Sequence, residues 1–119
     1  MRIISGSFKG KKILEPKDQE TRPLKDLVKE SVFNILTHSN KFRIILKGSS
    51  VLDLFSGVGS FGLECLSRGV KEVIFIENYN IVLPILERNL SNLKSLRNYK
   101  IIKKDIYKDD IFNKFENKF

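Results

Sequence analysis

Apolar positions in this chain recur at two different spacings, and the changes between them divide it into elements. Val51-Leu52-Asp53-Leu54-Phe55, Lys71-Glu72-Val73-Ile74-Phe75-Ile76-Glu77 and Tyr99-Lys100-Ile101-Ile102-Lys103 are short runs rich in β-branched and aromatic residues, and they predict three strands. Leu24, Leu27, Val28, Val32, Ile35 and Leu36 instead recur every three or four residues, predicting an amphipathic helix over 24–38. A second helix is predicted over 60–68 with Gly69 as its stop. A third, starting at Asn78 or Asn80 and ending near Leu96, carries Leu83, Leu86, Leu90 and Leu93 on one stripe. An Asn80 cap would put Pro84 in the first turn, where missing N–H groups are harmless. Asp105 opens a fourth helical stretch containing Ile106, Ile111, Phe112 and Phe115.

Ahead of these elements, Arg2-Ile3-Ile4 and Lys11-Lys12-Ile13-Leu14 flank a glycine-marked turn and read as a β-hairpin, followed by a polar linker over 17–23. Strands alternating with helices predict right-handed crossovers and a parallel sheet, so the fold class is α/β. Gly48-Ser49-Ser50 separates a hairpin-and-helix region, 1–47, from the α/β region, 48–119.

Charge adds a partner to this picture. The chain has 22 Lys and Arg against 14 Asp and Glu, a net +8, and residues 1–47 hold 11 of those bases with only 5 acids. That asymmetry suits a polyanion facing the N-terminal region, since neutralised phosphates release counterions; a solvated lysine-rich surface is the alternative. Lys25 and Lys29, four apart, would share one helical face. One cysteine, Cys65, leaves no intrachain disulfide, and no Cys/His cluster offers zinc ligands. No apolar run approaches membrane-spanning length, so a cytoplasmic protein is expected.

The candidate chemistry lies where the first strand ends. Gly57-Val58-Gly59-Ser60-Phe61-Gly62 is G-x-G-x-x-G directly after a strand and opening a helix. Absent side chains let a ligand approach the backbone, and free N–H groups at the helix start favour an anionic group. Asp53 and Glu77 end adjacent strands beside this turn, where open α/β sheets bind ligands. A nucleoside cofactor fits. Asp53, four residues before the first glycine, would face the pyrophosphate of a dinucleotide, whereas near the cationic methionine end of S-adenosylmethionine its charge is tolerable.

Residues 51–69, Val51-Leu52-Asp53-Leu54-Phe55-Ser56-Gly57-Val58-Gly59-Ser60-Phe61-Gly62-Leu63-Glu64-Cys65-Leu66-Ser67-Arg68-Gly69, resemble the V-L-D-L-F-[AS]-G-[ST]-G-x-[LF]-G-L-E-x-L-S-R-G signature of the RsmD family. Arg2-Ile3-Ile4-Ser5-Gly6, Lys9-Gly10-Lys11, Thr21-Arg22-Pro23 and Asp26 through Leu36 are similar to that family's N-terminal motifs. The resemblance implies the N-terminal half of a Rossmann-like class I methyltransferase, preceded by a hairpin and helix. It also implies S-adenosylmethionine-dependent methylation of a guanine exocyclic amine (N2) in 16S ribosomal RNA of the small subunit. Asp53, Ser56, Gly57 and Gly59 would wall the cofactor's methionine part, Glu77 would hold the ribose with Asn78 beside it, and Asp105 with Ile106 would border the adenine. Lys9, Lys11, Lys12, Arg22, Lys25 and Lys29 would contact RNA.

Leu24 stands where the family usually has Thr, and Leu27 replaces Arg, which removes two polar contacts from that substrate face. The family's D-P-P-[YF] motif, which grips the target amine, does not occur before Phe119, so no catalytic residue can be named. On this reading the chain by itself would be weakly active or inactive, and an unpaired edge on the first strand would invite self-association. A noncatalytic cofactor- or nucleic-acid-binding module and a fragment of an NAD-dependent oxidoreductase are the alternatives. By position alone, Asp105 also serves as a helix N-cap and Glu77 as a surface acid, while His38 suits a helix C-terminus and Cys65 core packing.

Overall fold

The computed structural model describes residues 1–17, 25–41, 44–115 and 118–119. Three strands, β1 (Ser50–Asp53), β2 (Glu72–Ile76) and β3 (Tyr99–Ile102), form a parallel sheet in the order β1-β2-β3. Three helices, α1 (Asp26–His38), α2 (Ser60–Ser67) and α3 (Leu83–Ser91), and a 3₁₀ turn, Phe112–Phe115, complete it. Val51 pairs in register with Val73, and Phe75 with Ile101. Because side chains alternate across a strand, these residues share one face, packed against Leu63 and Leu66 of α2 and Leu86 and Leu90 of α3. Ile74, Ile76 and Ile102 point the other way and are covered by Ile111 and Phe115.

The glycine turn is set by packing as much as by backbone freedom. Gly59, at φ 92°, caps α2 in the left-handed region, and a Cβ there would lie 2.6 Å from Leu86 Cδ1. A Cβ on Gly62 would collide with the Phe75 ring, so that glycine sets the close approach of α2 to β2. α2 itself is buried on nearly all sides, which suits its apolar composition.

The N-terminal region joins the same core through Ile3, Ile13 and Phe33. The predicted hairpin is short: one antiparallel bridge, Arg2 with Lys12, is flanked by backbone bonds from the Ile3 N–H to the Lys11 carbonyl and from the Ile13 N–H to the Met1 carbonyl, each at 2.9 Å, and side chains of other elements hold the rest. The buried Glu64 carboxylate accepts the Ile4 and Ser5 N–H groups at 2.8 and 3.0 Å. Ser67 Oγ accepts the Phe8 N–H, and Asn89 Oδ1 accepts that of Leu14. Asn89 also donates to the Val58 carbonyl at 2.9 Å, tying the N-terminal segment, α3 and the glycine turn together.

Several expectations change. In α1 the buried residues are Lys29 and Phe33, while Leu27, Val28 and Ile35 are exposed, so the helix turns a different face inward from its apolar stripe. The reason is Glu64, which sits fully buried on α2 and pairs with Lys29 at 3.4 Å. α3 spans Leu83–Ser91 and not 78–96; Asn80 makes no cap, though Pro84 does stand in the first turn. Where a fourth helix is predicted from Asp105, turns lead to the short 3₁₀ segment. The linker over 18–23, with Arg22, and the predicted helix start at Leu24 lie outside the described residues. Among the described residues no helix is long and apolar enough to cross a membrane.

Candidate functional site

A cleft of about 230 Å³ opens at the C-terminal ends of the strands. Glu77, Asn78, Asp105 and Ile106, expected around ribose and adenine, all line it. The chain brings them together because β2 ends at Ile76 and β3 at Ile102, so the residues just beyond each strand face one another. Leu54, Phe55, Lys104 and Tyr107 complete the lining. Phe55 and Tyr107 are not singled out by sequence; their rings lie 6.0 Å apart and both are exposed, Tyr107 at 83%. Phe55 belongs to the signature run, but nothing in a strand-ending Phe signals an exposed ring.

Glu77 joins the cleft to the glycine turn. Its Oε1 accepts the Gly57 N–H at 2.8 Å, and Oε2 accepts the Asn78 and Tyr79 N–H groups at 2.9 and 3.0 Å. Three of about four lone-pair positions of the carboxylate are thus used, which leaves room for a further hydroxyl donor. Gly57 has φ 53°, and a Cβ there would meet nothing within 4 Å. Of the three glycines in the motif it is the one whose missing side chain leaves open space, the cradle that an approaching ligand requires.

Asp53 stands behind this turn. Its Oδ2 is buried without a hydrogen-bond partner, and burial pushes its carboxyl up to about 6, with the neighbouring Glu77 charge adding to the rise and the Gly62 backbone N–H opposing it. A buried polar atom left unpaired is destabilising in the isolated fold, which is the pattern of a group kept for a ligand. Ser56 is different: its N–H and hydroxyl both donate to the Ile76 carbonyl, so it pins the turn to β2. Gly59 is set by packing, close against Leu86. Asp105 Oδ1 accepts the Tyr107 N–H at 2.8 Å, so the acid caps a turn and lines the cleft at once.

Among the basic residues, Lys9, Lys11, Lys12 and Lys25 are exposed. Lys29 is not: at 0% exposure it donates to the Arg2 carbonyl at 2.6 Å and Ser60 Oγ at 3.2 Å besides pairing with Glu64, so it is unable to meet a phosphate. Burial holds its ammonium below the usual 10.5 despite the Glu64 charge. Glu64 also takes Arg68 Nε at 2.8 Å, and Arg68 in turn lies over the Phe33 ring. The signal for this buried group was an acid in an otherwise apolar helix. His38 is exposed at the end of α1, and Cys65 is buried.

The family model described as conserved hypothetical protein 95 matches residues 1–118. The chain is 39% identical over 94 residues to ribosomal RNA small subunit methyltransferase D of Haemophilus influenzae, covering 79% of this chain and 46% of that protein. It is 36% identical over 95 residues to the protein of the same name in Escherichia coli, covering 80% and 45%. A solved Escherichia coli chain described as a "putative methyltransferase" superposes with a TM-score of 0.73 at 31% identity, over 88% of this chain and 52% of that one. The chain spans about half the length of the curated relatives it matches.

Proposed function

This chain belongs to the family described as conserved hypothetical protein 95, the RsmD family, and from that membership we propose that it is the cofactor-binding part of a cytoplasmic S-adenosylmethionine-dependent methyltransferase acting on guanine N2 of small-subunit ribosomal RNA. The observation that carries the cofactor is the pairing of an open left-handed Gly57 with the buried, unpartnered Asp53 Oδ2. An anion over Gly57 would meet the charge of Asp53, so a pyrophosphate is disfavoured and a ligand with a cationic end is accommodated. Glu77 would take a ribose hydroxyl at its remaining acceptor position, while Asn78, Asp105 and Ile106 border the base from the cleft wall. The bound cofactor supplies an electrophilic methyl on sulfur. The chain's task is to hold it at a fixed place and orientation, because transfer to an amine depends on alignment more than on a strong base.

RNA would approach over the exposed Lys9, Lys11, Lys12 and Lys25 of the N-terminal region, whose charge excess favours it. Arg22, outside the described residues, is a further candidate. Calorimetric titration with S-adenosylmethionine, S-adenosylhomocysteine and NAD tests the assignment. Binding of either sulfur compound in preference to NAD is expected, and tighter NAD binding would replace this reading with that of an oxidoreductase fragment.

A further inference from the structure

The sequence from 99 to 119 is nearly balanced, with six lysines and four acids, and its charge is inconspicuous beside that of residues 1–47. Folding separates what the sequence mixes. Asp105 Oδ1 accepts the Tyr107 N–H, Asp109 Oδ2 accepts the Asp105 N–H, and Asp110 Oδ2 accepts Asn113 Nδ2. These acids hold turns in place and are not ion-paired with the lysines around them. Lys103 and Lys118 do find carboxylates, each at 2.7 Å, on Glu87 and Glu72. Lys100, Lys104, Lys108 and Lys114 have no ion-pair partner among the described residues.

The fold also gathers Lys100, Lys104 and Lys114 on one side. Lys100 lies opposite Ile74 in register, on the sheet face that Ile111 and Phe115 cover, and Lys114 sits between those two residues on the 3₁₀ turn. Lys104 follows β3 and lines the rim of the cleft. The proton affinity of Lys114 is lowered chiefly by the neighbouring Lys104, then by partial loss of solvent and by Lys100, with Asp110 opposing. Like charges gathered at short range repel, and an anion shared between them would relieve that repulsion.

We propose that Lys100, Lys104 and Lys114 form a second contact for RNA phosphates, on the β3 edge beside the cleft and separate from the basic N-terminal region. This rests on the reading of the protein as an rRNA methyltransferase. Two separated contacts would fix the direction of an RNA segment as well as its affinity.

Anisotropy titrations of transcribed small-subunit rRNA against the chain, repeated over a salt series, test it. The variant Lys100→Ala/Lys114→Ala should flatten the slope of log affinity against log salt by about 1.4 to 1.8, two phosphates' worth. Lys103→Ala/Lys118→Ala, which removes lysines already paired, should change it far less. The single Lys114→Ala, expected to lower the slope by about 0.7 to 0.9, gives a second reading in a less altered protein. Equal effects of the two double variants would mean a diffuse charge effect and overturn the site. An unaltered slope in variants that melt as the parent does would overturn the site while leaving the methyltransferase reading intact. A parent chain that binds S-adenosylhomocysteine but no rRNA would remove RNA binding from this chain altogether, and the second contact with it.

Discussion

Replacing Asp53 with Asn should stabilise the folded chain at neutral pH while weakening its hold on S-adenosylmethionine. The carboxyl of Asp53 rises from 3.8 to about 6 in the fold because it is buried, with Oδ2 unpartnered. Near pH 7 the group is therefore ionised against its surroundings. At 1.36 kcal/mol per pH unit, that displacement is worth roughly 3 kcal/mol. An amide in the same place is neutral but leaves its own polar atoms short of partners, which returns about 1 to 2 kcal/mol. The net expectation is a gain of roughly 1 to 2 kcal/mol near pH 7. The direction with pH follows from proton linkage. Between 3.8 and about 6 the folded chain holds the proton more firmly than the unfolded chain, so this group favours folding most below its unfolded value and loses that contribution as pH rises through the folded one. Urea denaturation of parent and variant at about pH 7 and about pH 4 should show the advantage of Asn at the higher pH only. Calorimetry on the same variant should show a greater loss of affinity for S-adenosylmethionine, with its cationic sulfonium, than for S-adenosylhomocysteine. An Asn variant that is less stable near pH 7, or displaced equally at both pH values, would refute the argument from burial.

Glu77→Ala should weaken S-adenosylhomocysteine binding by about 1 to 3 kcal/mol, and unchanged affinity by calorimetry would leave Glu77 as a brace for the turn alone. Lys29→Met leaves the buried Glu64 with Arg68 and two backbone N–H groups, so a loss approaching 3 kcal/mol is expected by urea denaturation, within the range for a broken buried pair. Adding Glu64→Leu to Lys29→Met should not restore stability, since it orphans the Ile4 and Ser5 N–H groups; recovery would show the carboxylate to be dispensable. Replacing Lys9, Lys11 and Lys12 together by Ala should flatten the salt dependence of RNA binding by roughly 2 to 3, and an unaltered slope would take the N-terminal lysines out of the interface.

What was legible in the sequence was whatever depended on near neighbours. The three strands and the glycine turn are written in runs of a few residues, and the acids at 53 and 77 were placed by the turn between them. The inward face of α1 was not legible, because Lys29 is drawn in by Glu64, 35 positions away, and an apolar stripe carries no information about a partner helix. α3 is shorter than its leucine stripe: Leu93 remains buried, but it follows the helix in a turn whose N–H bonds to Leu90. The segment after Asp105 reads as helical in its spacing, yet Asp105 and Asp109 spend their carboxylates on backbone N–H groups in the tight turns, which compete with a helix there. Among the site residues, Ser56 is taken up by a bond to β2, and the difference between Gly57 and Gly59 lies in Leu86, a residue of another element.

The attachment of the first fourteen residues has a consequence in time. Arg2 is held early, by Asp26 and Lys29, but Ile4, Ser5 and Phe8 are held by Glu64 and Ser67, and Leu14 by Asn89, anchors made 59 to 75 positions later. At about 5 to 20 residues per second of synthesis, the segment leaves the ribosome roughly 3 to 15 seconds before its last anchor exists. During that interval Ile3 and Ile13, both fully enclosed in the finished fold, lack part of the core that encloses them. The N-terminus is thus first to be made and among the last parts to be secured. Slowing translation between codons 14 and 89 should lengthen its exposure to proteases and chaperones without altering the final structure.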